Sequence, residues 1–303
     1  MENVDIVGSG PAGLTAGLYA ARAGVKPLVL EGLEPGGQLM QTQHVANYPG
    51  IPGTVAGADI IAALRRQAEE AGARFALDAV ESVDFTAPVK KLTTLMGETL
   101  EARAVIVASG AGARKTNLPG EAAYWGRGIS ACLTCDGAFY AGRKVAVVGE
   151  GPAVRGAETY LARCGAEVVA TCLPAEVASF DGDGKHLTGI SRRGGKPPIP
   201  CDGLFLVTAR VPQTAFLGDA LARDAAGYIV VSGVRTSVPG VFAAGDVIDD
   251  YYRQAITSSG TGASAAIDAE RWLADCARPR YKQAVIAAGD GALAALEALA
   301  FLA

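Results

Sequence analysis

The sequence is poor in the features that announce several common functions. It has two histidines and two tryptophans, 6% aromatic residues, and 27 basic against 31 acidic side chains in 303 residues. That charge balance offers no broad basic face for nucleic acid, and the scarcity of rings leaves little to stack on bases. Charged residues make up 19% and hydrophobic residues 50%, which excludes bulk disorder and is ample for a packed core. A long uncharged apolar run is also missing. The most apolar long segment, 284–303, is interrupted by Asp290 and Glu297 and makes a poor membrane span. The opening MENVDIVGSGPAG has no basic n-region, so it reads as a strand and not a signal peptide. Six cysteines in a chain this long do not make a disulfide framework, and they point to a reducing, intracellular setting with one special pair. The expectation is a soluble, cytoplasmic protein without nucleic-acid or membrane partners.

What is abundant is glycine, 39 residues, well above the usual share of about 7% and without a G-X-Y period. Its excess belongs at turns and at places where backbone approaches backbone or a ligand. Val4–Val7 is a short apolar run, a helical pattern covers Ala12–Ala23, and a second apolar run covers Pro27–Leu30, which is a βαβ unit. Segments 75–85 and 89–101 predict a small antiparallel flap, and Ala104–Ala108 a buried parallel strand. The pattern restarts at Arg143-Lys144, with a strand over Val145–Val148, a glycine turn, a helix over Ala153–Cys164 and a strand over Val168–Cys172. Near the end, Tyr252-Arg253-Gln254-Ala255 recurs as Tyr281-Lys282-Gln283-Ala284; 11 of 23 aligned positions are identical, a short duplication and not a solenoid.

Gly8-Ser9-Gly10-Pro11-Ala12-Gly13 fits G-x-G-x-x-G between strand and helix. Gly8 allows the tight turn, Gly10 lets backbone approach a pyrophosphate, and Gly13 lets helix and strand pack closely. The helix N-terminus offers N–H groups and a positive dipole end. Glu31 follows the second strand, where a carboxylate accepts from an adenosine ribose. The competing reading is a glycine turn used for packing alone.

Cys132-Leu133-Thr134-Cys135-Asp136-Gly137 is the reactive candidate. Two intervening residues allow a small reversible disulfide ring, and the adjacent aspartate can move a proton. Half a zinc site and two plain buried cysteines are the alternatives. Zinc wants a second Cys/His pair at short spacing, whereas Cys164, Cys172, Cys201, His44 and His186 are scattered. The remaining cysteines default to core residues, and both histidines to ordinary surface or loop positions.

Together these residues resemble the low-molecular-weight thioredoxin reductases over about residues 4–274. The marks are Gly8–Gly13, Gly36-Gly37-Gln38-Leu39, Asn47-Tyr48-Pro49-Gly50, Cys132–Gly137, Gly245-Asp246 and Tyr252–Ala255. The resemblance implies an α/β fold of two Rossmann-like three-layer ββα domains, the second inserted into the first. Residues 1–115 and 244–303 would bind FAD, and residues 116–243 would form the pyridine-nucleotide domain carrying the redox pair. Gly36–Leu39 and Asn47 would belong to the flavin site, Asp246 to its ribityl or phosphate region, and Arg253, Gln254 and Ala255 would meet the isoalloxazine at a helix N-terminus. Cys135 would be the flavin-side thiol, Cys132 the one attacking a partner disulfide, and Asp136 the acid/base. A homodimer is implied, with one domain swinging against the other between half-reactions.

The second glycine loop, Gly149-Glu150-Gly151-Pro152-Ala153-Val154, departs from the family in its acidic Glu150 and its larger Val154. The strand after it leads into Ala170-Thr171-Cys172-Leu173-Pro174-Ala175, with no cation for the NADPH 2′-phosphate; Arg192-Arg193 is the available substitute. About thirty residues separate Thr171 from Asp202, so one helix–strand unit of the nucleotide platform is expected to be absent. The leading expectation is an FAD-dependent dithiol–disulfide oxidoreductase passing electrons to a thioredoxin-like protein, its donor NADPH or, given this damaged site, a reduced ferredoxin. A flavin thiol oxidase using oxygen and a non-catalytic flavin-binding module are the rivals. The duplicated segment 281–303 is expected to be an amphipathic helix on the dimer or on the shortened domain, with competition for the flavin edge as its alternative role.

Overall fold

The computed structural model describes residues 2–277 of the 303, so the second copy of the duplicated segment lies outside the described residues. In chain order the elements are β1 (Glu2–Val7), α1 (Pro11–Arg22), β2 (Pro27–Leu30), α2 (Gly57–Glu70), β3 (Arg74–Ala76), β4 (Val80–Asp84), β5 (Lys90–Thr94), β6 (Thr99–Val107) and β7 (Ala111–Ala113). There follow α3 (Glu121–Tyr124), β8 (Ile129–Ser130), α4 (Leu133–Asp136), β9 (Lys144–Gly149), α5 (Ala153–Arg163) and β10 (Glu167–Cys172). The chain continues through β11 (Val177–Gly182), β12 (Leu187–Arg192), β13 (Ile199–Pro200), β14 (Gly203–Val207), β15 (Arg210–Pro212), β16 (Val241–Ala243) and α6 (Ala255–Ala277).

The first sheet runs β3-β2-β1-β6-β5-β4, with β16 also on β6. β6 explains the layout. Its first half alternates and pairs antiparallel with β5, whereas its second half, Ala104-Val105-Ile106-Val107, is apolar throughout, buried, and lies parallel between β1 and β16. The predicted flap is therefore continuous with the main sheet through this one strand. Helices α1 and α6 cover one face through Ala12, Ala16 and Ala20 against Ala265, Ala266 and Ala269. Small side chains let the helices approach closely: a Cβ on Gly262 of α6 would stand 2.2 Å from the Ala12 carbonyl oxygen.

The second sheet, β10-β9-β14-β8, is parallel and drawn wholly from residues 129–207; β11, β12 and β13 form a separate antiparallel sheet beside it. The chain leaves the first body along β7 and returns along β15, and these two strands pair antiparallel. The expected boundary at 243/244 is thereby corrected. β16 pairs with β6, and Leu217, Leu221 and Ile229 bury themselves with Val105 and Val107, so the stretch after β15 belongs to the first core. A buried parallel strand such as 241–243 reads alike in either sheet, so its pattern does not say which body it joins. Between β10 and β14 the chain makes the small antiparallel sheet, with no further helix of the α type.

Candidate functional site

The three glycines of the first loop do three different things. Gly8 has φ +110°, and a Cβ there would lie 2.4 Å from the Ala108 carbonyl oxygen. A Cβ on Gly13 would lie 1.8 Å from the Gly8 oxygen, so helix and strand touch through it. At Gly10 the nearest atom to a Cβ would be the Gly36 oxygen at 4.0 Å, which leaves the face of the loop open. Ser9, which the sequence pattern treats as a spacer, is buried. Its hydroxyl donates to the Glu31 carbonyl at 3.1 Å and accepts from the Gly36 N–H at 2.9 Å, fastening the loop to the Gly36-Gly37 turn. Glu31 is buried and its carboxylate accepts from Arg65 of α2, whose guanidinium lies 4.3 Å over the Phe75 ring.

The loop opens on a cleft of about 1360 Å³, larger than the roughly 300–1,000 Å³ of ordinary ligand pockets. Gly8, Gly10, Pro11, Ala12, Glu31, Gly37, Gln38, Leu39, Asn47, Cys132, Cys135, Asp136, Gly245, Asp246, Arg253, Gln254 and Ala255 all line it. Gly13 and Gly36 do not; they act behind the lining, Gly13 in packing and Gly36 through a left-handed turn at φ +81°.

At the other wall α6 begins at Ala255, so two helix N-termini face the same space. The turn that delivers α6 is held by Asp249, whose carboxylate accepts from the N–H groups of Tyr251, Tyr252 and Arg253 at 3.0, 2.7 and 2.9 Å. That grip keeps Arg253 at φ +53°, a left-handed position a non-glycine residue rarely takes. Asp246 accepts from the Ser258 hydroxyl at 3.0 Å, and burial pushes its carboxyl above the usual range. Arg253 Nε is buried without a hydrogen-bond partner among the described residues. Two positive helix ends, an open glycine loop and an unsatisfied guanidinium nitrogen form a donor set suited to a dinucleotide's phosphates.

Cys132 and Cys135 are joined as a disulfide with Cα atoms 5.3 Å apart. Cys132 caps the single turn α4, its sulfur accepting from the Cys135 N–H at 3.3 Å. The turn is tied across the cleft. Gln254 Nε2 donates to Thr134 Oγ1 at 2.8 Å, while Asn47 Nδ2 donates to Gln254 Oε1 at 3.2 Å. Asp136 follows, half-buried; burial raises its carboxyl above the ordinary 3.8, opposed by a hydrogen bond with Ser130 and by His44. Arg210 of β15 is a second tie, donating to Gln38 Oε1 and to the Ala131 carbonyl, both at 2.9 Å. Sequence reasoning missed Ser9, Asp249 and Arg210. His44 lies in an exposed loop as expected, and that loop lines the cleft, with the imidazole against Phe139.

A profile of the pyridine nucleotide-disulphide oxidoreductases matches residues 2–172 and 157–262. The chain belongs to that family. Within it, a thioredoxin reductase of Streptomyces clavuligerus is 41% identical over 308 residues, covering 91% of this chain and 95% of the relative. A bifunctional thioredoxin reductase/thioredoxin of Mycobacterium leprae (strain TN) is 39% identical over 307 residues, covering 91% and 67%. The solved thioredoxin reductase from Giardia duodenalis superposes with a TM-score of 0.81 at 37% identity, covering 90% of this chain and 98% of that one. The protein is thus a thioredoxin reductase-like pyridine nucleotide-disulphide oxidoreductase with two Rossmann-like bodies.

The second glycine loop differs from the first in its crowding and charge. Val154 is buried, and its Cγ2 would be 3.1 Å from a Cβ on Gly149. At the end of β10 the Thr171 hydroxyl donates to the Glu158 carboxylate, and the stretch 165–176 contains no Lys, Arg or His. Arg192 ends β12 and Arg193 follows it. Their Nε groups donate to the Pro197 and Val177 carbonyls, each at 2.9 Å, and neither residue lines the cleft.

Proposed function

We propose that the cleft holds FAD and that the protein moves electron pairs between it and Cys132–Cys135, and from there to the disulfide of a thioredoxin-like protein. The observation that carries this is the Gln254–Thr134 hydrogen bond, which sets the sulfur turn against the N-terminus of α6 in the same cleft as the first glycine loop. Gly8–Ala12 and Arg253 receive the phosphates, and Glu31 and Asp246 receive hydroxyl groups. Bound there, FAD supplies a two-electron carrier. Cys135 exchanges electrons on the cleft side, Cys132 attacks the partner disulfide, and Asp136 gives and takes the proton of the departing sulfur. The chain acts as a homodimer.

The second loop does not hold NADPH productively in this reading. Glu150 and Glu158 oppose a nucleotide's phosphates, and the 2′-phosphate lacks the charge-assisted contacts usually worth about 1.5–3 kcal/mol each. The alignment with the Streptomyces clavuligerus relative spans 308 positions but uses 91% of 303 residues, so about 30 positions have no counterpart here. The stretch between β10 and β14, which carries a small antiparallel sheet and no α-helix, supports a reduced platform and a donor such as a reduced ferredoxin. Anaerobic titration followed by flavin absorbance tests both parts. Dithiothreitol should bleach the flavin through the sulfur pair, reduced ferredoxin should bleach it directly, and micromolar NADPH or NADH should leave it yellow. Bleaching by micromolar NADPH overturns the donor reading; a flavin indifferent to dithiothreitol overturns the coupling of flavin and sulfur.

Asp136→Asn separates stability from chemistry. Because burial raises its carboxyl, the folded state holds the proton more tightly than the unfolded chain, and the stability this gives is lost as pH rises from 3.8 through the raised value. The variant should therefore melt above the parent at pH 7, the gap closing toward pH 4. Its turnover should fall by about 10²-fold or more, the scale of general acid catalysis.

A further inference from the structure

We propose that the Thr134 hydroxyl, aimed by Gln254, is the donor that holds the Cys132 sulfur as a thiolate when the disulfide opens. The inference rests on the reading above for Cys132 as the sulfur that meets the partner. Thr134 lies between the two cysteines on the single turn α4, and its Oγ1 stands 3.6 Å from Cys132 Sγ. Its neighbours decide the direction of that contact. A hydroxyl has one proton to give and two lone pairs to receive with, and an amide nitrogen can only give. Gln254 Nε2 donates to Thr134 Oγ1 at 2.8 Å, and the other end of the amide, Oε1, is engaged by Asn47 Nδ2 at 3.2 Å. The hydroxyl proton is thereby left free. A disulfide sulfur carries no proton, so Thr134 donates and Cys132 Sγ accepts. Thr134 is exposed, and without the tie to Gln254 its hydroxyl would turn to water.

A second donor meets the same atom, the Cys135 N–H at 3.3 Å. Among the described residues no such donor is directed at Cys135 Sγ. The other hydroxyl at the turn serves the backbone: Ser130 Oγ accepts from the Cys132 N–H at 3.0 Å and lies 3.4 Å from the Cys132 carbonyl oxygen. The pair is thus asymmetric before it is reduced. A neutral disulfide sulfur is a weak acceptor, whereas hydrogen bonds to an ionised acceptor are roughly twice as strong as neutral ones. Both donors therefore tighten as the bond opens and favour the reduced form with its charge on Cys132. Asn47 and Gln254 belong to the first body and Thr134 to the insert, so the hydroxyl is aimed while the sulfur turn sits in the cleft. Gln254 and Asn47 are positioning residues in this arrangement.

The chemistry balances with dithiothreitol as the reductant. Its two thiols close to a cyclic disulfide and the Cys132–Cys135 bond breaks. One of its protons goes to Cys135, the other to solvent, and Cys132 is left a thiolate. The thiolate attacks one sulfur of a partner disulfide, whose bond breaks as a mixed disulfide forms. The departing sulfur takes the proton that Cys135 gives up, carried by Asp136. Cys135 then attacks the Cys132 sulfur, re-forms the ring and releases the partner's second sulfur as a thiolate. Thr134 keeps its proton throughout.

The test equilibrates the FAD-loaded full chain anaerobically at pH 7 in buffers of varied reduced-to-oxidised dithiothreitol ratio. Thiols are trapped with N-ethylmaleimide, and the reduced fraction of Cys132 and Cys135 is read by peptide mass, a measurement that does not pass through the flavin. Thr134→Val keeps the branched side chain without the hydroxyl and should shift the equilibrium about 10-fold toward the disulfide, about 30 mV for this two-electron couple. Thr134→Ser, which keeps the hydroxyl, should match the wild type. Gln254→Leu should shift in the direction of Thr134→Val and by less. A wild-type equilibrium in Thr134→Val overturns the proposal and spares the flavin–sulfur reading, as does Thr134→Ser behaving like Thr134→Val. A wild-type equilibrium in Gln254→Leu overturns the aiming by Gln254. The expected shifts with a flavin whose absorbance never follows the thiols sustain the role of Thr134 and overturn the flavin–sulfur reading.

Discussion

Cys135→Ser should yield a yellow protein that has lost turnover. The hydroxyl fits where the thiol stood and cannot close a disulfide, so the route between flavin and partner ends at Cys132. The cleft is otherwise untouched: the glycine loop, Asp246 and the N-terminus of α6 come from the first body, and Gln254 still reaches Thr134. Flavin content measured by absorbance should match the parent, while reduction of a protein disulfide drops by at least about 10⁴-fold, the scale seen when a nucleophile is removed from a working set. Dithiothreitol should also cease to bleach the flavin. Retained turnover would remove Cys135 from its assigned role.

Gly13→Ala and Gly10→Ala should fail in opposite ways, although they differ by three positions in one loop. The new Cβ at residue 13 would overlap the Gly8 carbonyl at 1.8 Å, and a backbone oxygen cannot step aside without moving β1 from α1. Overpacking of this sort costs about 1–3 kcal/mol, which for a chain of this size lowers the melting midpoint by roughly 2–5 °C. The flavin should be lost with it. The Cβ at residue 10 meets nothing nearer than 4.0 Å. That variant should fold and melt like the apoprotein, yet be nearly colourless, because the methyl takes the space kept for a pyrophosphate. Calorimetry and absorbance on the two purified variants check the contrast.

Much of this site was legible because its parts are local. A strand, three glycines and a helix lie within one short stretch, and the cysteines and aspartate within five residues, so spacing alone carries their geometry. The signals that escaped belong to single side chains whose meaning is set by distant partners. Arg210 acts on Gln38 across 172 positions, and nothing around it in sequence marks it. Asp249 looks like a surface acid until its three N–H partners are seen, and His44 acquires a neighbour from a different body. The misplaced boundary at 243 has the same origin: the three apolar letters of a central strand do not say which sheet they enter. Glu31 directly follows its strand as the pattern predicts, but its grip by Arg65 depends on how α2 brings that guanidinium over Phe75.

The paired strands β7 and β15 have a mechanical consequence. They are the sole covalent route between the sheet at 129–207 and the rest of the described chain, and they leave side by side, with Ala113 opposite Arg210. A narrow ribbon twists far more readily than a wide sheet. Torsion between the halves therefore concentrates at that one axle, and because Arg210 grips both sides from within it, any turn of the axle must first release those two donors.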